Sequence, residues 1–242
     1  MITGYEPLDT PKAIADDIWI VDGPAIRFYG MPFSTRATIL RLENGELWVH
    51  SPTRLSSALA ARIASLGTVA QLVAPNWIHY AYVHEWKDAW LDAQTWAAPG
   101  VAERAAKHGA PSDFDHLLTQ DTPAEWAGQI DQMIVRGSEV HREAVFFHRA
   151  SKTLILTDLI ENFEKKNLPW WMRLIVPLVG VVDPDGKMPR DMRMTFAKGK
   201  DSLREDVERM IAWAPERIIL AHGRWYERDA VAELERAFRW VL

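Results

Sequence analysis

The sequence predicts an α/β (α+β) fold, a four-layer α-β-β-α sandwich in which two mixed sheets face each other. Three observations point there. A strand meander followed by alternating strands and helices occurs twice along the 242 residues. No Pro/Gly/Ser-rich linker separates the two halves, so one domain over 1–242 is expected, with an N-terminal extension at 1–17 and an insert at 163–195 after the Asp158 strand. Two short apolar runs, Thr153-Leu-Ile-Leu-Thr-Asp158-Leu and Ile218-Ile-Leu-Ala-His222-Gly, each end abruptly on a potential metal ligand. Strand ends are where α/β folds gather their chemistry, because loops there converge on a rigid frame.

The elements follow in order. Residues 18–22 and 26–29 read as two short strands joined by a Gly-Pro turn. Residues 35–42 form a strand by alternation, Asn44-Gly45 is a hairpin turn, and 46–50 is the return strand. Helical spacing over 55–66 ends at Gly67. A buried strand at 69–74 precedes a helix at 79–91, a strand at 95–98 and a helix at 101–107. Segment 109–128, with Pro111 and Pro123, reads as loop. Strands resume at 132–136, 144–148 and 153–157. Ser202-Leu-Arg-Glu205 reads as a capping box opening a helix to about 213. A strand at 218–221 and a helix at 227–241 complete the pattern.

Composition narrows the chemistry. At 48% hydrophobic and 25% charged the chain is an ordinary globular protein. It has no cysteine, which excludes disulfides, thiolate zinc sites and cysteine nucleophiles, so any metal site must use His, Asp, Glu or Asn. A net charge of −5 argues against nucleic acid. Residues 1–17 carry Glu6, Asp9, Asp16 and Asp17 and resemble no signal or transit peptide, so a cytoplasmic location is expected. Gly-x-Gly-x-x-Gly, P-loop, Gly-x-Ser-x-Gly and His-Glu-x-x-His motifs are all absent.

Several stretches carry a resemblance: Val21-Asp-Gly-Pro24, Phe28-Tyr-Gly-Met-Pro-Phe33, Trp48-Val-His-Ser-Pro52, Pro75-Asn76 before His79, Phe146-Phe-His148, Thr157-Asp158-Leu159-Ile160 and Ala221-His222-Gly223. Together they span about residues 18–225. The chain resembles the metallo-β-lactamase-fold superfamily, and within it an uncharacterised bacterial family with a degenerate His-x-His-x-Asp-His motif. The resemblance implies metals held at loop ends between two sheets. Thr157-Asp158-Leu159 is similar to the superfamily's Gly-Asp-Leu motif, and Ala221-His222-Gly223 to its late His motif. The His motif itself has two registers here. One sets His79 and His84 on its first and last His, with Ala81 and Val83 between; the other sets Asn76 on the first. A mid-chain His is replaced by the segment Gly137-Ser-Glu139-Val-His141, and His50 stands at the usual strand-end Asp.

The expected ligands are Asp158, His222, His79 and His84, with His50, Asn76 and Glu139 lining the site. His108, His116, His141 and His148 read as surface or packing residues. Mixed His/carboxylate ligation suits one divalent transition metal, zinc, iron or manganese, and the losses leave no room for two. Three readings stay open. The first is a mononuclear metal-dependent hydrolase of unknown substrate. The second is a non-catalytic descendant that binds a small molecule or partner, with no metal. The third is a membrane-surface protein using residues 168–182. That segment is apolar but only 15 residues long, with Arg173 and Pro177 inside, so it is no transmembrane helix. It fits a core-packing insert, a lid, a homodimer contact or a membrane-surface patch, and Trp170 and Trp171 suit the last three.

Overall fold

The computed structural model describes residues 5–28 and 30–242; Tyr29, at the end of one expected strand, and residues 1–4 lie outside them. The larger sheet runs in spatial order β1 (Lys12–Ala15), β2 (Ile18–Phe28), β3 (Met31–Arg41), β4 (Glu46–His50), β5 (Thr68–Ala74), β6 (Gln94–Ala97) and β7 (His116–Leu117). It is antiparallel through β4 and parallel from β4 to β7. The change of direction coincides with the crossover helices α1 (Ser57–Ala64) and α2 (Val83–Ala89), because parallel neighbours need a connection that returns over a sheet face. A third helix, α3 (Val101–Lys107), falls at the expected residues.

The smaller sheet contains β8 (Ile130–Ile134), β9 (Ala144–His148), β10 (Thr153–Ile155) and β11 (Arg217–Ile219), ordered β11-β10-β9-β8. Here β10 and β11 are parallel and the other pairs antiparallel. The sheets meet through large side chains: the Trp48 ring lies 4.9 Å from Phe146 on β9, and Trp126, from the turn before β8, stands 6.1 Å from Trp48. Leu59 and Ile63 of α1 and Trp86 of α2 extend that core beyond the larger sheet. Behind the smaller sheet, Met133, Val145 and Phe147 pack against Leu203 and Val207 of α6 (Lys200–Ala212) and Leu234 and Phe238 of α7 (Ala230–Phe238). The result is the expected helix-sheet-sheet-helix order. A satellite cluster of Phe163, Leu168, Met172, Val176 and Val181 gathers around α4 (Met172–Val179). One more short helix, α5 (Arg190–Thr195), leads into α6.

Three local differences have physical causes. The two strands expected at 18–22 and 26–29 are one strand, β2, with a bulge between Gly23 and Ile26. A bulge accommodates Pro24, which has no N–H to donate, and a Cβ on Gly23 would stand 2.6 Å from Thr35 Oγ1. The helix expected from 79 starts at Val83 because Asn76 Oδ1 accepts from the backbone of Ile78 and His79 and holds a turn there. The capping box at Ser202 does not form, since α6 begins earlier: Gly199 packs directly on Gly137, and a Cβ there would lie 2.3 Å from Gly137 Cα. The loop at 109–128 contributes the edge strand β7, and the N-terminal extension contributes β1.

One buried charge ties the two halves together. Arg36 on β3 pairs with Asp22 on β2 at 2.8 Å and donates to the carbonyls of Leu220 (2.6 Å) and Gly223 (3.0 Å), either side of His222. Both side chains are almost wholly buried. Replacing Arg36 by Met leaves a buried carboxylate short of a partner and two carbonyls unmet. It is expected to lower stability by about 3–5 kcal/mol, measured by urea unfolding.

Candidate metal centre

Parallel register explains why two residues 64 apart meet. Ile155 on β10 aligns with Ile219 on β11, and Asp158 and His222 each lie three residues beyond that pair. β4 and β5 end on the same side, with His50 aligned to Val73, and deliver Ser51, Asn76 and His79. The site therefore stands at the carboxyl ends of parallel strands from both sheets.

Asp158 is its centre. Its Oδ1 lies 3.2 Å from His79 Nε2 and 3.2 Å from His222 Nε2, and its Oδ2 accepts from Asn76 Nδ2 at 2.7 Å. The imidazole rings are 5.1 Å apart. His222 Nδ1 donates to the Ser34 carbonyl at 2.8 Å, which fixes its tautomer and aims Nε2 at the carboxylate. The neutral ring then sets one lone pair against another, so a proton or a cation must stand between them. His79 Nδ1 is held by Ser51 Oγ at 2.7 Å. Ser51 adopts a left-handed backbone (φ 51°) that a non-glycine residue takes up only when its surroundings impose it.

The ligand atoms of His79, Asp158 and His222 lie within 4.8 Å of one another. Two nitrogens and one oxygen around a tetrahedral metal at ~2.0–2.2 Å would stand ~3.4 Å apart, close to the two 3.2 Å separations. Orientation of each imidazole through its other nitrogen is the usual support of a metal-ligating histidine. The donor set thus fits a single metal with an open position.

A second group, His141, Glu143 and Asp158, is similarly close but differently used. Glu143 accepts from the backbone of Thr157 (2.7 Å) and Asp158 (2.9 Å) and faces His141 Nε2 at 3.1 Å. A metal there would have to displace donors already satisfied, so Glu143 reads as the clamp that shapes the Asp158 turn.

The electrostatics follow from burial around one carboxylate. Burial alone would push Asp158 up, but His79 and His222 outweigh it and hold it well below the usual carboxylate range. Burial likewise opposes charge on His79, yet Asp158 raises its pKa above the ordinary value. His141 is raised for the same kind of reason, with Glu143 overcoming burial. Burial pushes His50 down to about 3, reinforced by His79, so it is neutral. Glu161 is pushed up to about 8 by burial, with His222 opposing and Asp158 adding to the rise.

Of the residues expected from sequence, the structure brings together Asp158, His222, His79 and Asn76. His50 is buried at the end of β4, stacked on Trp48 and edge-on to Phe146. Two expectations are corrected. His84 lies on α2 and turns to Asp113 (3.3 Å) and the Phe114 ring, because the Asn76 turn delays the helix and rotates this residue away. Glu139 is exposed and pairs with Arg142 at 2.7 Å. His141, read as surface or packing, is buried beside Glu143. Trp170 is exposed, and Trp171 half-buries against the satellite cluster. Ser34, Ser51, Glu143 and Glu161 were not anticipated: only Ser51 falls in a quoted stretch, Trp48-Val-His-Ser-Pro52, and the other signal was proximity to a strand end.

A model described as "Domain of unknown function (DUF4336)" matches residues 15–179. The chain belongs to the DUF4336 family. No curated protein matches it. Solved structures similar to this DUF4336 protein include a metallo-β-lactamase from Pontibacter korlensis, with a TM-score of 0.66 at 13% identity over 96% of this chain and 98% of the other. Another is the metallo-β-lactamase FIM-1 from Pseudomonas aeruginosa in a mono-zinc form, with a TM-score of 0.63 at 12% identity over 96% and 95%. A third is rubredoxin oxygen:oxidoreductase from Desulfovibrio gigas, with a TM-score of 0.66 at 14% identity over 96% of this chain and 61% of the other. At such identities the likeness is one of fold: this is a metallo-β-lactamase-fold protein with residue groups that can hold a metal.

Glu161 gives a pH test. Its neutral form is favoured in the fold, so its penalty is absent below about 4.5 and grows as pH rises towards about 8. Glu161→Gln in chelator-treated protein should raise the melting temperature at mildly alkaline pH, by ~2–4 °C for each kcal/mol relieved. At or below about pH 4.5 it should leave the melting temperature unchanged in thermal scans.

Proposed function

We propose that this protein is a mononuclear metal-dependent hydrolase, with His79, Asp158 and His222 holding one divalent transition metal (zinc, iron or manganese). The observation that carries this reading is the direct convergence of two oriented imidazole nitrogens and one carboxylate oxygen, each nitrogen 3.2 Å from the oxygen. When bound, the metal supplies Lewis acidity, polarising a carbonyl or phosphoryl group and acidifying water. Ester, thioester, lactone and phosphoester substrates are all within the reach of that chemistry.

The chain's own residues would divide the remaining work. Ser34 and Ser51 orient the two rings, and Asn76 fixes the second oxygen of Asp158, leaving Oδ1 for the metal. Phe33 and Phe163 lie against the His222 ring, at 5.4 and 6.3 Å, and exclude water from that side. Glu161 holds a proton at neutral pH and is the candidate to give or take one beside the site. A cleft of about 550 Å³ next to the His222 loop, lined by Tyr5, Lys12, Asp22, Arg36 and Trp225, is less suited to the chemistry. Its buried charges are already paired with each other.

The second reading, a non-catalytic member of the fold, is favoured by one observation. Asp158 is already neutralised by His79, His222 and Asn76, which makes a self-sufficient buried network.

Metal analysis of tag-free protein separates the two. About one equivalent of transition metal, or uptake of one on titration, is expected; trace metal with no uptake would sink the hydrolase reading. Asp158→Ala and His222→Ala should each abolish uptake, and retention would mean a different ligand set. Because a proton on His79 competes with the metal and its pKa is raised, affinity should strengthen from about pH 6 to about pH 8, read by calorimetric titration.

A further inference from the structure

Helix α4 is apolar on two opposite sides. Met172 and Val176, one turn apart, point into the satellite cluster with Phe163, Leu168 and Val181. Trp170, Leu174 and Leu178, also one turn apart, point the other way and are 73%, 69% and 68% exposed. A helix apolar all round is normally covered all round. This one is covered on one side only, among the described residues.

The charges within the segment have one sign, with acids only at its flanks. Segment 165–182 contains Lys165, Lys166 and Arg173 and no acid, in a chain whose net charge is −5. Arg173 donates to the carbonyls of Leu168 and Lys166, which gathers the three cations at one end of the helix. At the other end Lys187 packs beside Gly180. Of the flanking acids, Glu164 is engaged by Lys166 and Tyr5, Asp183 by Asn162 and Arg224, and Asp185 is exposed near Lys187.

We infer that this face of α4 docks on an anionic lipid bilayer, with Trp170, Leu174 and Leu178 entering the headgroup boundary and the lysines and Arg173 meeting lipid phosphates. The pattern is that of an interfacial helix: a tryptophan and leucines on one face, flanked by basic residues. No helix among the described residues is long and apolar enough to cross a membrane, so the contact is peripheral. A second copy of the chain is the poorer occupant. A two-fold contact would set the patch against itself and bring like charges together. An eight-residue helix, about 12 Å long, also falls short of the ~800 Å² per partner of a stable dimer. The inference does not depend on a metal at Asp158.

The test is co-sedimentation of the full chain with phosphatidylcholine vesicles, with and without about a third phosphatidylserine. Binding is expected on the anionic vesicles alone, weakening as salt is raised. The double variant L174E/L178E should lose binding about tenfold or more while keeping the wild-type melting temperature, since both positions are exposed. L91E, at an exposed leucine elsewhere (74% exposed), should bind as wild type. No co-sedimentation, equal binding to both vesicle types, undiminished binding by L174E/L178E, or equal loss in L91E would each overturn the inference. So would a dimer in sedimentation velocity that L174E/L178E dissolves in protein that ignores vesicles; that result would assign the face to a second copy.

Discussion

A carboxylate that is almost completely buried has to be neutralised, and Asp158 is such a carboxylate. Much of what is unusual nearby serves that requirement. His79 and His222 converge on one oxygen and Asn76 takes the other. Glu143, a second buried carboxylate, is neutralised in turn by backbone N–H groups of the same turn and by His141. The two carboxylates share the strand end and the Asn76 amide, but only Glu143 is taken up by the backbone, so the Oδ1 of Asp158 is left facing the two imidazoles.

The same division shows in the neighbouring side chains. Asn76 supplies an amide that both holds the turn and binds Asp158. Glu143 is spent on hydrogen bonds to main chain. The architecture matches metallo-β-lactamases at 12–13% identity, which is a likeness of fold. Fold alone is therefore a poor guide to chemistry here, and the argument has to rest on the atoms around Asp158.

Much of the fold was legible because it rests on local patterns. The Asn44-Gly45 hairpin, the bounds of α3 and the apolar runs ending at Asp158 and His222 follow from turn chemistry and alternation. The parallel pairing of β10 with β11 then does what sequence spacing cannot, by placing both ligands three residues past one aligned pair. What escaped was decided at a distance. The start of α6 is set by Gly137 pressing on Gly199, not by its capping box. His84 was a credible ligand until the Asn76 turn shortened α2. Ser34 acts through a main-chain carbonyl, which no side-chain pattern can announce, and Ser51 acts through an imposed left-handed backbone.

Arg36 adds an order of events. Its guanidinium bridges Asp22 on β2 and the carbonyls either side of His222, so it can be satisfied only after strands from opposite ends of the chain have closed on each other. Ser34, Ser51, His79, Glu143, Asp158 and His222 are drawn from six separate segments. Asp22 can meet Arg36 as soon as β2 and β3 pair, and Asp158 can meet Glu143, Asn76 and His79, but His222 and the two carbonyls that hold Arg36 come only with β11. The three-ligand centre is thus complete only when the last strand is in place.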